Sequence, residues 1–537
     1  MVGSAFRRGR WLLPVVGGVA LCCAVAAYGM TRQVAASSTF VIDHSFELKT
    51  SDPQRAFDPT ASIIDRGIFD TLFTFSGDDL SHPVPLLVES SRVTNGARTY
   101  VFQLKKNVHF GDGTPLTSAD VVFSLNRLIN LKGNPSFLLA GVSVAAKGPY
   151  GVVLHSRTPN TALPSILANP STGIVNSKLV KAHGGSAAAN AAKVDKAEQW
   201  FNSSASAGVG SGPYQLSSYS TTSQVTLVPN PKYWGAKKPA FSAVVIRNMV
   251  APTQFVNIQR GTHEVAVDLS SNQAQSLKGK SNLKVSLQPS TQMFFALAND
   301  NPKVSAVTSN TDFQQAVRYA LDYKTIVSVV GGPGSIQAPG VIPSMFLGAL
   351  PQAAAVKQNL AKAKADLAAS GVGQQTVTLE YPSDLTVNGV AFTTLAQKVQ
   401  SSLQAAGFHI KLSGTPTTNW LTRYRSGKMP FGLSLWGPDY PDPADYLVFT
   451  PGQLVGLRAG WPKGSDRAIE ALAAKALITV TPSARKSIFQ RIQLELNKRG
   501  PFFPLMQPTQ VFVATNDLSH AVYNAVYTVN VTEVSPK

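Results

Sequence analysis

The chain has 537 residues, with 48 Lys plus Arg against 29 Asp plus Glu, a formal net charge of +19 and only 14% charged residues. Its two cysteines are Cys22 and Cys23, so the body beyond them has no disulfide framework, no thiol nucleophile and no cysteine-ligated metal, and depends on its apolar core. The basic residues are scattered, with pairs such as Lys105-Lys106 and Lys237-Lys238 the tightest groups; this argues against a nucleic-acid partner, which wants a concentrated basic stripe, and suits an anionic membrane surface or cell wall.

At the N-terminus, Arg7, Arg8 and Arg10 precede an uncharged run from Trp11 to Ala27, the order of an export signal or an N-terminal anchor. Val34-Ala35-Ala36 before Ser37 supplies the small residues of a cleavage site, while Leu21 before Cys22 fits a lipoprotein box poorly. Cleavage, lipidation and retention as a membrane anchor are all compatible with these residues, and each places the body outside the cytoplasm. Roughly 500 residues follow, enough for two or three domains.

Thr39 to Ile42 reads as a strand, and Ile63, Ile64, Ile68 and Leu72 fall near helical spacing. Tyr100 to Leu104 alternates like a strand, and Asp112-Gly113 signals a turn. Thr117, three residues before Asp120, gives a capping-box variant opening a helix from Ser118 to about Ile129. The stretch from Lys181 to Gly212, rich in Ala, Gly, Ser and Asn, reads as a surface excursion, followed by strands at 212–216 and 224–228. A strand at 377–381, a helix at 391–406, a strand at 409–412, a helix near 419–425 and a strand at 431–435 form a β-α-β-α-β series, which predicts an α/β lobe with a mixed or parallel sheet. Two further helices are expected at 465–479 and 482–497.

The most chemically loaded segment follows the strand at 431–435. From Leu435 to Leu447 it gathers Trp436, Asp439, Tyr440, Asp442, Asp445 and Tyr446 with Pro438, Pro441 and Pro443. The prolines predict an extended or turning loop. A carboxylate beside aromatic faces suits an ammonium group, although the same residues also make ordinary solvated turns. Catalytic patterns fail: His263-Glu264-Val265-Ala266-Val267 has Val where a zinc protease needs its second His, and Ser281 to Lys284 has no partner Lys-Thr-Gly. No two of the eight histidines lie within five positions of each other. The expectation is a binding protein, without catalytic residues, cofactor or metal.

Four segments appear in order: Phe110-Gly111-Asp112-Gly113-Thr114-Pro115-Leu116-Thr117, Gly210-Ser211-Gly212-Pro213-Tyr214, Asn230-Pro231-Lys232-Tyr233-Trp234 and Trp436-Gly437-Pro438-Asp439. In sequence and separation they resemble the extracytoplasmic solute-binding proteins of peptide/nickel-type ABC transporters (family 5, oligopeptide/dipeptide-binding protein-like). The resemblance implies a periplasmic-binding-protein (Venus flytrap) type II α/β fold, with two lobes, an extra domain and mixed sheets flanked by helices. It implies that, after a signal or anchor at 1–36, domain I comprises 37–84, 208–296 and 506–537. Domain II would be inserted at 85–207, domain III would span 297–505, and crossovers near 78–90 and 205–212 would form the hinge. It also implies Asp439 as the partner of a peptide α-ammonium, with Trp436 and Tyr440 as walls of the site. The expected partners are a short peptide or other small solute and the permease subunits of a transporter, with the protein itself a monomer. Nickel chelates, haem, opines and oligosaccharides are the alternative solutes; an exported hydrolase or a sensory or adhesive surface protein are the alternative classes.

Overall fold

The computed structural model describes Ser38–Lys537. The expected signal or anchor and both cysteines lie outside these residues.

Three sheets organise the described chain. The first has seven strands in the order Leu283–Pro289, Thr509–Thr515, Glu264–Ala266, Thr39–His44, Ala243–Asn248, Gln224–Pro229 and Tyr214–Ser218. Thr39–His44 at its centre buries Phe40 and every residue from Ile42 to His44, and runs parallel to both flanking strands. The second is a four-stranded antiparallel sheet, Val88–Thr94, Thr99–Leu104, Gly151–Ser156 and Val142–Ala146. The third has six strands, Ile336–Gln337, Phe502–Gln507, Met293–Ala298, Phe431–Trp436, Thr376–Pro382 and His409–Thr415. In it Thr376–Pro382 is parallel to both of its neighbours, while Met293–Ala298 is antiparallel to Phe431–Trp436, so this sheet is mixed as the β-α-β-α-β series predicts.

Met293–Ala298 is buried at all six positions. Strand alternation explains how: Phe294, Ala296 and Ala298 pack beneath the helices Thr311–Ala320 and Phe392–Ala405, while Met293, Phe295 and Leu297 enter the core on the opposite face with Phe449 and Phe502. The six-stranded sheet is thus covered on both sides, which makes it a rigid mount for whatever leaves its strand ends.

Several sequence expectations change in detail. The first helix is Pro59–Ile68, capped by the Asp58 carboxylate accepting from the Ala61 N–H at 2.8 Å; Leu72 lies beyond its end yet remains buried. The capping box of Thr117 and Asp120 opens a helix from Ser118 to Leu131, as read. The stretch from Lys181 to Gly212 is more than a surface excursion. It contains the turns Ala191–Val194 and Glu198–Phe201, buries Ala197 and Phe201, and sends the Asp195 carboxylate to the wholly buried Arg127, with Oδ2 accepting from Nε at 2.8 Å. Low sequence hydropathy concealed this because the anchor is one ion pair rather than an apolar run.

The glycine-rich motifs behind the family resemblance converge on a single junction between the four-stranded and seven-stranded sheets. The Gly111 N–H donates to Gly210 O at 2.9 Å, the Asn230 side chain donates to Gly212 O at 2.9 Å, and the Lys232 ammonium donates to Asp112 O at 2.7 Å. A Cβ on Gly210 would stand 2.0 Å from Ile68 O, and one on Gly111 would stand 2.8 Å from the Gly208 Cα. These glycines are required by backbone contact. The Trp234 indole N–H and the Ser211 hydroxyl both donate to Asp70 Oδ2, at 2.8 and 2.9 Å.

The expected domain limits at 296/297 and 505/506 fall inside the strands Met293–Ala298 and Phe502–Gln507. The chain crosses between the seven-stranded and six-stranded sheets at residues 290–292 and at Pro508. These two crossings are tied together: the Ser290 N–H donates to Pro508 O at 2.7 Å, and the Gln507 amide donates to Ser290 O at 2.8 Å. The segments 78–90 and 205–212 connect the four-stranded layer to the rest of the chain.

Candidate ligand-binding site

The loop that carries Asp439 leaves the six-stranded sheet beside the paired crossings, since Trp436 at the end of Phe431–Trp436 stands opposite Met293. The prolines were expected to keep the whole segment out of helix. The structure corrects this: Pro443 occupies the first turn of a 3-10 helix, Pro443–Phe449, where its missing N–H costs nothing, and Asp442 caps it by accepting from the Ala444 N–H at 2.8 Å.

The three acids of the segment have separate surroundings. Asp442 is 4% exposed and forms a two-pronged pair with Arg485 of the helix Pro482–Arg499, at 2.6 and 3.1 Å. Asp445 is 3% exposed and accepts at Oδ2 from the Trp436 indole N–H at 3.0 Å and from the Asp439 backbone N–H at 3.3 Å. It thereby ties the tryptophan and the loop together. The Asp439 carboxylate makes no hydrogen bond or ion pair with any described residue, and burial raises its pKa above the ordinary value. An unpaired, half-desolvated carboxylate costs free energy unless a cation arrives.

Asp439 lines a cavity of about 230 Å³ between the two large lobes. Pro438 to Pro441 form one wall, Phe57 to Pro59 and Tyr523 to Thr528 supply the facing wall from the seven-stranded side, and Thr291 and Gln292 of the crossing close the back. Gln292 Oε1 is buried there without a partner. Tyr440 lines this cavity and also a second one of about 720 Å³. Trp436 lines neither; its ring packs edge-on against Phe449 at 6.1 Å between centroids. Of the three residues expected at the site, Asp439 and Tyr440 therefore face one cavity, and Trp436 supports the loop from behind. Arg423 and Arg425, close in sequence, are exposed on the helix Thr417–Arg425, and Arg423 is occupied by Glu380. The facing wall was not legible in the sequence: Phe57 and Asp58 lie hundreds of residues before Asp439 and Tyr523 lies well after it, with no motif of their own.

A model of the bacterial extracellular solute-binding proteins, family 5 Middle, matches residues 82–453. The chain belongs to this family. This family-5 protein is 25% identical over 441 residues, 82% of each chain, to the probable D,D-dipeptide-binding periplasmic protein DdpA of Escherichia coli strain K12. Its fold is shared with HbpA2 from Haemophilus parasuis, at a TM-score of 0.80 and 20% identity over 93% of this chain and 100% of the other. It is also shared with a dipeptide-binding protein from Pseudoalteromonas sp. SM9913 in complex with Met-Leu, at 0.69 and 17%, again over 93% and 100%. The two-lobed type II α/β architecture, with helices flanking mixed sheets, is thus that of the family-5 proteins.

The buried acids give this loop a pH signature. Burial first, then the neighbouring Asp439 charge, push the Asp445 carboxyl up to about 8. A group whose folded pKa stands above its unfolded value of about 4 favours the folded state at low pH, and that contribution is lost as pH rises through about 8. A cation placed on Asp439 favours ionised Asp445 and drives its proton off. We expect ligand binding at pH 7 to release a fraction of a proton, seen as a calorimetric heat that varies with buffer ionisation enthalpy, and affinity to rise from pH 6 to 8. Asp445→Asn should abolish the buffer dependence; if it persists unchanged, the proton comes from elsewhere.

Proposed function

We propose that this protein is the extracytoplasmic binding component of an ABC importer, capturing short peptides between its two large lobes and presenting them to a membrane permease. The observation that carries the reading is the unpaired Asp439 carboxylate in an inter-lobe cavity, placed where a peptide α-ammonium would neutralise it. The names of its relatives agree, since they are binding proteins rather than enzymes. Domain I is read as the seven-stranded unit, domain II as the four-stranded unit and domain III as the six-stranded unit, with the hinge at residues 290–292 and Pro508.

The chemistry of capture follows from the walls. Asp439 fixes the ammonium, Tyr440 covers apolar surface, and Trp436 and Asp445 hold the loop in one geometry so that little ordering is left to be done on binding. Rotation about the paired crossings then removes the ligand from water, which strengthens the ion pair. The protein performs no bond chemistry in this scheme, and transport energy comes from the partner ATPases.

A thermal-shift screen of the purified protein tests the reading, because anything that binds only the folded form raises the unfolding midpoint. Free-amine di- to pentapeptides should raise it, and N-acetylation of the same peptides should remove the effect. A rise only with nickel chelates, haem or oligosaccharides would discard the peptide and keep the importer.

A further inference from the structure

The four-stranded sheet has two unlike faces. Tyr100, Phe102, Leu104, Val152 and Leu154 enter the core, where the helix Ser118–Leu131 covers them with Val121, Leu125 and Leu128. Strand alternation puts their neighbours on the opposite face, and the register sets those neighbours in rows: Arg92 beside Val101 and Val153, Ser90 beside Gln103, and Thr94 beside Thr99. This side is open to solvent, with Ser90, Arg92, Ser143, Ala145 and His155 exposed. A shallow depression of about 340 Å³ crosses it between Arg92 and Lys147, over Val101, Gln103 and Gly151.

The formal charge on this face has one sign. Arg92 stands on Val88–Thr94, Lys147 follows the end of Val142–Ala146, and Arg157 follows the end of Gly151–Ser156. The Arg157 side chain lies over Gly141, where a Cβ would stand 3.0 Å from its Nε. All three cations are exposed, and none makes a side-chain hydrogen bond or ion pair with any described residue. Alternation assigns no acidic residue to the face. The sheet belongs to the stretch 85–207, which has 12 Lys or Arg against 5 Asp or Glu. Three of those acids are engaged internally: Asp112 accepts from the Asn176 amide at 2.8 Å, Asp120 completes its capping box and Asp195 holds Arg127. Between the exposed cations, the side chains of Ser90, Thr94 and Gln103 also make no hydrogen bond with any described residue.

We propose that this face binds an acidic polysaccharide, a function separate from solute capture. The carboxylates of the polymer pair with Arg92, Lys147 and Arg157, and its hydroxyls bond to Ser90, Thr94 and Gln103. Four strands at ordinary spacing give it a bed about 14 Å across. A lipid surface fits less well, because peripheral binding to a bilayer draws on apolar side chains that insert, and the large apolar side chains exposed among the described residues lie elsewhere. A second copy of the face would meet it with like charge. None of these residues lines the cavities at Asp439 and Tyr440, so polymer and solute do not compete.

Calorimetric titration of the purified protein with sodium polygalacturonate tests this, against the fully methyl-esterified polymer, which keeps the sugars without the charge, and against phosphatidylglycerol vesicles. Polygalacturonate should bind, and its affinity should fall about tenfold between roughly 50 and 200 mM salt, as expected for about three neutralised charges. Combining Arg92→Gln, Lys147→Gln and Arg157→Gln should weaken binding at least about tenfold. Combining Lys178→Gln, Lys193→Gln and Lys196→Gln removes the same charge from exposed positions off the sheet and should leave the affinity within about twofold of wild type. Both variants change only exposed side chains and should keep the wild-type unfolding midpoint. Equal losses in the two variants would replace the face by diffuse net charge and overturn the proposal. So would equal affinity for the methyl ester, binding to the vesicles alone, or no binding to any of the three probes.

Discussion

Asp439→Ala should raise the Kd for a free-amine peptide by about 30-fold or more, equivalent to ~2 kcal/mol or more, since a desolvated ammonium would lose its directly paired countercharge. The folded state should not suffer, because the Asp439 side chain makes no internal hydrogen bond or ion pair that the substitution could break, and its removal relieves the burial that raises its pKa. The clean readout is a pair of titrations: the free-amine peptide separates wild type from variant, and its N-acetylated form binds both equally weakly. A variant that keeps wild-type affinity for the free amine would sink the ammonium-pairing role. The neighbouring acids give the control. Asp442→Ala breaks the pair with Arg485 at 2.6 Å and should act through stability, leaving a buried guanidinium unpaired.

Arg127→Met should be the most damaging single change to the fold, lowering stability by about 3–5 kcal/mol. Arg127 has no exposed surface and grips Asp52 through two contacts of 2.6 Å, Asp195 through contacts of 2.8 and 2.9 Å, and Gln54 at 2.8 Å. It comes from the helix Ser118–Leu131 and thereby ties that helix to the segment preceding Pro59–Ile68 and to the excursion at 181–212. Removing it leaves the two buried carboxylates of Asp52 and Asp195 with only the partly exposed Arg55, 3.4 and 3.0 Å away, as a shared cation. The pH dependence identifies the cause. Burial pushes Asp195 up, but Arg127, Ser186 and Arg55 outweigh it and hold its pKa at about 2, below the unfolded value of about 4. Its contribution is therefore full above pH ~4 and is lost as pH falls through about 2. The gap between wild type and Arg127→Met in urea midpoint should be widest near neutrality and narrow across that acid window. Equal midpoints at pH 7 would show that the network contributes nothing net.

Both effects arise from single side chains whose partners are distant in sequence, and this marks the division between what could and could not be read in advance. Local signals were reliable where the interaction is local. The capping box at Thr117 and Asp120, the alternation of Tyr100 to Leu104 and the β-α-β-α-β order from 377 to 435 all rest on spacings within one element, and all three match the structure. The glycine motifs carried the family resemblance because backbone contacts at the junction of two sheets admit no Cβ. They serve the junction rather than the ligand. The helical turn at Pro443 was misjudged because the same proline that ends one helix opens another, and only the flanking Asp442 cap decides between them.

The sequence by itself determined the family, the α/β class, the absence of cysteine chemistry beyond residue 23 and Asp439 as the residue to watch. Each of these depends on residue identity and short-range order. Tertiary structure alone decided which of three neighbouring aspartates stays unpaired, that Trp436 braces the loop through Asp445 rather than facing the cavity, and that the opposite wall comes from Phe57, Asp58 and Tyr523. It also tied the two crossings between the large sheets together, at residues 290–292 and Pro508. The reason is physical: an ion pair, a cavity wall or a local potential is set by distances between residues far apart along the chain, and those distances exist only once the sheets have packed.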